Sequence, residues 1–399
     1  LPLYDMPLSQ VTGEVLTSLV ADEVREDRQI EYKEELPATS PRDKMEFLGD
    51  VSAFANTIGG DVVYGVREKR DDNGQQTGIP EEICGLEGVN LDALTLRLDS
   101  ILRDGLDPRL PPIQYQVVPV AENRTVVILR VPRSWRSPHM IRNEGWFYGR
   151  SSAGKFRMDV LQLREAFLQS ELTLERARGF RHDRLDSIER GDTPVPLPEG
   201  PKIALHIVPL TAFDARASVD VHRVAEDPTR MMPIFGQEIG WGHRYNFDGF
   251  LTFRPGTEHP VSRTYTQLFR TGAIEATTTS FFDPAQRVIY ARAYEPEIVR
   301  AVERYLNLET MLGVGPPLVV MLSLVGVRGY TMWLPPDYDY PSHGGIERDT
   351  LVAPEQLVEE LSAPPAQILR RSFDAVWNAC GYPRSLNYDE NGEWKPRQS

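Results

Sequence analysis

The sequence predicts an α+β chain of two domains, and three observations carry that reading. Short runs such as Ile30-Glu31-Tyr32-Lys33 and Asp61–Val66 have the length and β-branched or alternating pattern of strands. They are interspersed with longer runs, 42–57 and 90–103, whose apolar residues recur at helical spacing. The segment 193–201 (TPVPLPEGP) then carries four prolines in nine residues, which marks a linker. The expected layout is residues 1–170 as one domain with a mixed sheet and flanking helices, 171–201 as an arginine-bearing helix and linker, and 202–399 as a second α+β domain.

Element by element, 9–24 reads as a helix with Ser9 or Thr12 as N-cap. The strand Ile30–Lys33 follows, and then the helix 42–57, whose apolar side is Met45, Phe47, Leu48, Val51, Phe54 and Ala55. Gly59-Gly60 should stop that helix, because glycine accepts the left-handed turn at a helix end. After the strand 61–66, the polar stretch 67–82 should be a hairpin or an exposed loop. Strands are expected at about 113–120, 125–131 and 145–150, and helix over 158–170 continuing through 171–190. In the second half, 202–210, 248–254, 264–283 and 317–326 read as strands. Helices are expected at 295–309, 354–361 and 364–380, and the tail from Asn387 reads as loosely ordered.

Bulk properties narrow the class. No apolar run approaches the ~18–20 residues of a membrane span. Residues 1–10 show no basic segment ahead of an apolar run, so no secretory leader is expected, and the opening Leu1-Pro2 suggests a trimmed chain. A cytoplasmic location is the default expectation. Cys84 and Cys380 lie too far apart in sequence to suggest a zinc site or a disulfide framework. The seven histidines (His139, His182, His206, His222, His243, His259 and His343) lack ligand spacing. No G-x-S-x-G elbow is present, and Cys84 has no nearby partner to mark it as a nucleophile.

Net charge is −14, which opposes phosphate binding on average, but its distribution is uneven. Residues 1–100 hold 21 acids and 9 bases, whereas 124–157 hold eight bases against the single acid Glu144. Two readings stay open: a basic stripe that contacts RNA or DNA, or arginines that pair with the acidic first half. Arg142, Arg150, Lys155 and Arg157 are the candidates for gripping a nucleic-acid backbone. Gly149-Arg-Ser-Ser-Ala-Gly154-Lys155 satisfies G-x-x-x-x-G-K, yet a working phosphate loop needs Ser or Thr next, and Phe156 stands there.

Glu26, Glu31 and Glu68 flank the first two strands. If those strands pair, the three carboxylates would converge at one end of the sheet, where mutual repulsion suits them to a divalent cation. Mg²⁺ or Mn²⁺ held there activates water and stabilises charge on a phosphodiester. Lys33 shares the strand face of Glu31 and could contact phosphate or lower a carboxylate pKa. By spacing alone these acids read equally as solvated surface. In the second half, Gly240-Trp-Gly-His-Arg-Tyr-Asn246 gathers aromatic and basic residues, either a packed loop or one that stacks a base.

Five segments in order resemble the Schlafen-type core domain, an Alba-like module. Glu26-Asp-Arg-Gln-Ile-Glu31-Tyr-Lys33 looks like its E-x4-E-[FY]-K segment, and Ser52-Ala-Phe-Ala-Asn-Thr-Ile-Gly-Gly60 looks like its AFANT-x-GG turn. Val63–Glu68, Ser137-Pro-His-Met140 and Tyr148-Gly-Arg-Ser-Ser152 with Met158 are similar to later parts of that domain. The resemblance spans about Glu14 to Ser170. It implies a metal-dependent endoribonuclease acting on tRNA or other structured RNA, with Glu26, Glu31 and Glu68 holding Mg²⁺ or Mn²⁺. The third position is usually aspartate in such relatives, so Glu68 departs from the pattern. The resemblance also implies a stress or antiviral defence role, and a homodimer or higher oligomer that builds the two-lobed RNA groove. The alternatives are a non-catalytic DNA- or RNA-binding regulator and a nucleotide- or ligand-sensing regulator.

Overall fold

A computed structural model describes residues 3–214, 217–234, 240–255, 261–334 and 344–396; His259 and His343 lie outside the described residues. The chain is α+β and divides into two compact units, Leu1–Leu172 and Thr173–Ser399. No helix among the described residues is long and apolar enough to cross a membrane.

In the first unit, α1 (Gly13–Ala21) is capped by the Thr12 hydroxyl, which accepts from Val15 N–H at 3.4 Å. The strand β1 (Ile30–Lys33) alternates buried and half-buried positions, so Ile30 and Tyr32 face the core while Glu31 and Lys33 share the other side. The helix α2 (Pro41–Ala55) starts at the Ser40 cap with proline at its first position. It ends where Gly59 takes φ +77°, allowing Gly59 N–H to reach back to Phe54 O at 3.0 Å.

β2 (Gly60–Tyr64) runs parallel to β1, with Glu31 opposite Val62, and is buried along its whole length. A parallel pair needs a crossover, and α2 supplies it. Gly65, at φ +96°, breaks the strand that the sequence suggested would run on to Val66. β3 (Val66–Arg70) then pairs with β4 (Gln76–Ile83), so the polar stretch is a hairpin and Glu68 lies within a strand. The remaining elements are β5 (Leu86–Glu87), α3 (Leu91–Gly105), β6 (Leu106–Asp107), β7 (Gln114–Ala121), β8 (Arg124–Val131), β9 (Met140–Ile141), β10 (Trp146–Ser151) and β11 (Gly154–Arg157). Among the described residues they form a five-stranded sheet β1-β2-β8-β5 with β7 on β8, a ribbon β11-β10-β9-β6, and the β3–β4 hairpin.

The central sheet is buried on both faces. Val62, Tyr64, Val127 and Leu129 pack with Phe47, Val51 and Phe54 of α2 and Leu98 of α3. Val63, Val126 and Ile128 pack with Leu16 and Leu19 of α1. Two apolar faces explain why β2 and β8 read as near-continuous hydrophobic runs. The G-x-x-x-x-G-K segment is the β10–β11 hairpin: Ser151 opposes Gly154, and no helix N-terminus follows the turn to cradle a phosphate.

α4 (Val160–Arg190) carries the chain into the second unit. The boundary between units falls at Leu172, not in the proline-rich segment. Val195 of that segment packs on Leu251 and Tyr265, and Pro196 O accepts from Ser262 N–H at 2.8 Å, so the presumed linker is part of the second unit's surface layer. There, β12 (Lys202–Pro209), α5 (His222–Glu226), β13 (Gly242–Tyr245), β14 (Gly249–Arg254), β15 (Thr264–Phe269) and β16 (Ile274–Thr278) precede the short β17 (Phe282–Asp283) and β18 (Val288–Ile289). α6 (Ala291–Leu312), β19 (Leu318–Val325), β20 (Thr331–Met332), β21 (Thr350–Val352), β22 (Gln356–Val358) and α7 (Pro365–Ala379) complete it. The main sheet runs β13-β14-β15-β16-β12-β19-β21, with β22 also on β19.

Two expectations for this unit are corrected. The helix expected at 354–361 is the strand β22, because pairing with β19 and burial of Val358 override the helical propensity of the Glu-Leu-rich run. The tail from Asn387 is anchored: Asn387 is buried, Tyr388 pairs with Trp394, and the Tyr388 hydroxyl donates to Ala366 O.

The anchor is the fully buried Glu295 of α6. It accepts from Trp377 Nε1 (2.7 Å), Ser385 Oγ (2.6 Å) and Asn387 Nδ2 (2.7 Å). Burial outweighs these three neutral donors and pushes its pKa up to about 7. A carboxyl raised on folding favours the native state at low pH, and the contribution is lost as pH rises from about 4.5 to 7. Glu295→Gln is expected to flatten the stability–pH curve of the second unit across that window. Thermal melts of both proteins at pH 5 and pH 8 check it.

Candidate functional site

β1 presents Glu31 and Lys33 side by side, as period-2 geometry requires, and the two form an ion pair at 3.1 Å. α2 crosses over this pair. Its Glu46 and Asp50, one helical turn apart, meet the Lys33 ammonium at 2.9 and 3.7 Å. From the β10–β11 hairpin, Lys155 reaches the buried Asp50 at 2.7 Å and the carbonyl of Glu46 at 3.3 Å. Gly49 makes room for that approach, since a Cβ there would stand 2.8 Å from Lys155 Nζ.

Arg150 enters from the same hairpin and its side chain is wholly buried. Its guanidinium donates to Asp27 O (2.7 Å), Ile30 O (3.0 Å) and the Glu31 carboxylate, while its backbone N–H donates to Thr57 Oγ1 (3.0 Å). The group also lies 4.4 Å from the centre of the Phe54 ring. That ring is wedged against Gly60, where a Cβ would stand 2.2 Å from Phe54 Cε1.

Glu26 and Glu68 approach from the other side through Gly78. Glu26 N–H donates to Gly78 O (2.6 Å), Gly78 N–H donates to the Glu68 carboxylate (2.9 Å), and Tyr32 N–H donates to the Glu26 carboxylate (2.7 Å). The β3–β4 hairpin thus gathers two of the three acids beside β1.

The electrostatics follow from this crowding. Burial, then the neighbouring charge of Glu31, push Glu26 up to about 8. Burial and Glu31 also raise Glu68, against the pull of the Gly78 amide. Burial raises Asp50, more than Lys33 and Lys155 can offset. Glu31 goes the other way: burial disfavours its charge, but Arg150 and Lys33 outweigh that and hold it below the usual range. For Lys33, burial opposes the charge and the carboxylates Asp50 and Glu31 overcome it, keeping the ammonium ionised.

Of the residues singled out by sequence, Glu26, Glu31, Glu68, Lys33, Arg150 and Lys155 come together. Arg142 does not: it bonds Leu106 O at 3.2 Å and faces Asp107 at 3.7 Å. Arg150 is corrected from a surface cation to an internal one: its side chain is out of solvent, Nε and Nη2 bond Glu31 and two carbonyls, and Nη1 is left without a partner among the described residues. Much of the basic stripe is likewise paired, Arg124 with Glu87 and Arg130 with the buried Asp61. Glu46 and Asp50 went unnoticed in the sequence; their i,i+4 spacing on a helix directly after Lys33 was the available signal.

Five carboxylates therefore meet three cations. No three of the described His, Cys, Asp or Glu side chains stand close enough to enclose a metal ion as they are placed. The donor chemistry still fits a hard divalent cation: oxygen ligands outnumber cations, and burial, with the charge of Glu31, raises Glu26, Glu68 and Asp50.

A family match agrees with the fold of the first unit. Residues 26–159 match the family described as Schlafen, AlbA_2. Among solved structures, the chain is similar to the N-terminal domain of a RecG-related protein from Nitrosomonas europaea, at 22% identity over 33% of this chain and 82% of that one, with a TM-score of 0.25. It is also similar to the DIP2311 protein from Corynebacterium diphtheriae, at 16% identity over 36% of this chain and 26% of that one, with a TM-score of 0.23. No curated protein matches the chain.

Proposed function

We propose, from a chain whose residues 26–159 form a Schlafen-family domain, that the protein is a metal-dependent endoribonuclease acting on structured RNA, with tRNA the favoured substrate. The observation that supports this best is the cluster of five carboxylates and three cations assembled from β1, α2 and two hairpins. Glu26, Glu31 and Glu68 would hold Mg²⁺ or Mn²⁺, which when bound supplies positive charge for activating water and stabilising a phosphodiester transition state. Arg150 fixes the Glu31 carboxylate, and Gly78 fixes that of Glu68. Lys33, about a quarter exposed and flanked by acids, keeps its proton and offers a cation to a phosphate oxygen. Pairing of two chains to complete an RNA groove belongs to the same reading, and a monomeric mass at micromolar concentration would count against it.

The test is cleavage of labelled tRNA, rRNA and single-stranded DNA with Mg²⁺, Mn²⁺ or chelator. The wild type is expected to cut RNA only with metal, and Glu31→Ala to lose about 100-fold in rate, roughly 3 kcal/mol of barrier. Equal cutting by the variant would sink the assignment. One observation favours a second reading, a non-catalytic nucleic-acid-binding regulator: both Glu31 oxygens are engaged by Lys33 and Arg150. Binding without cleavage under every metal condition would select it.

A further inference from the structure

The β10–β11 hairpin does more than deliver Arg150 and Lys155. Trp146, Tyr148 and Arg150 alternate along β10 and so share one face of the ribbon. In the register of the hairpin, Arg157 lies opposite Tyr148 and Lys155 opposite Arg150, which places both cations on that same face. Each cation leans over an aromatic ring: the Arg157 guanidinium stands 4.4 Å from the Trp146 ring centre, and the Lys155 ammonium 5.8 Å from that of Tyr148. Exposure rises outward along this row. The Arg150 side chain is 0% exposed, that of Lys155 is 26%, and Trp146 is 45%.

Trp146 stays nearly half exposed even with the Arg157 guanidinium against its ring. Arg157 has no carboxylate partner among the described residues, unlike Arg150 and Lys155. Alternating aromatic faces and cations, spaced along an extended ribbon, match the bases and phosphates of a single strand. Trp146 lies four residues from Arg150, about 14 Å along the strand, within a few nucleotides' reach of the acid cluster.

We propose that this face of the β10–β11 hairpin is a stacking rail for single-stranded nucleic acid. A base stacks on Trp146 beside Arg157, and the backbone runs past Lys155 toward Glu31 and Lys33. The proposal rests on the nucleic-acid reading above and assigns it a contact surface. Glu144 accepts from the Tyr148 hydroxyl at 2.8 Å and holds that ring in place midway along the row.

The probe is a fluorescein-labelled single-stranded oligouridine, titrated by anisotropy against the full chain. Trp146→Ala is expected to weaken binding about 10-fold, with Trp146→Phe retaining most of the affinity because a ring remains. Arg157→Ala is expected to weaken binding and to lower the slope of log affinity against log salt by about one. Thermal melts of the variants should match the wild type, since both side chains are solvent-facing. If the wild type binds and all three variants bind equally well, the rail is wrong and the nucleic-acid reading survives. If the wild type does not bind oligouridine or tRNA at all, both fall.

Discussion

Replacing Arg150 by Met should cost the first unit about 3–5 kcal/mol of unfolding free energy, the usual consequence of stranding one member of a buried ion pair. The cost is large because one planar group satisfies two carbonyls and a carboxylate from the segment 27–31, with Phe54 beneath it. Arg150→Lys should recover only part, since an ammonium cannot present that fork of donors. Replacing Glu31 by Met in the Arg150→Met background should restore much of the loss, because no charge is then left unpaired. The pH dependence has a definite sign. Glu31 is lowered in the folded state, so its contribution is full above the unfolded value near 4.5 and is lost as pH falls. The gap between wild type and Arg150→Met should therefore be widest near pH 7 and narrow toward acid. Urea denaturation at pH 7 and pH 4 reads this directly, and equal gaps would show that the pair does not control stability.

The second large effect belongs to the other unit. Glu275 of β16 is fully buried and takes two bonds of 2.9 Å from Arg184, one of 2.7 Å from the Tyr265 hydroxyl and one of 3.0 Å from His206 Nε2. Burial works to raise its pKa, but the bonds from His206 and Arg184 prevail and bring it down to about 2. Arg184→Met leaves that carboxylate with only the Tyr265 hydroxyl and His206 and should cost about 3–5 kcal/mol. Glu275 would then rise, so the variant's deficit is expected in full at pH 7 and to shrink as pH falls from about 4.5 toward 2. Thermal melts at pH 7 and pH 3.5 measure it; a deficit that grows in acid would contradict the assignment.

Most of the first unit's fold was legible because its signals are local. Ile30–Lys33 alternates, 42–57 and 90–103 carry helical spacing, and Gly59-Gly60 stops the first of those helices; each element forms close to where it was expected. What failed depended on distant partners. The 354–361 run has helical composition, but β19 offers an edge that its sequence cannot reveal. The proline-rich segment looks like a linker because proline content reports backbone stiffness, not the apolar shelf of Leu251 and Tyr265 on which Val195 lies. At the site, residue types and the Glu31–Lys33 spacing were readable along one strand. The burial of Arg150 was not, because a cation in a glycine-serine turn reads as surface until β1 is known to lie beside it.

The crossover that makes β1 and β2 parallel has a consequence for synthesis of the chain. The acids Glu26 to Glu68 leave the ribosome before their counter-ions Arg150 and Lys155, which come more than 80 residues later. N-terminal segments fold as they emerge, so a nascent first unit carries a cluster of mutually repelling carboxylates and only Lys33 to relieve them. Assembly of the site therefore waits for the β10–β11 hairpin, and its two halves meet only once residues 146–157 have been made.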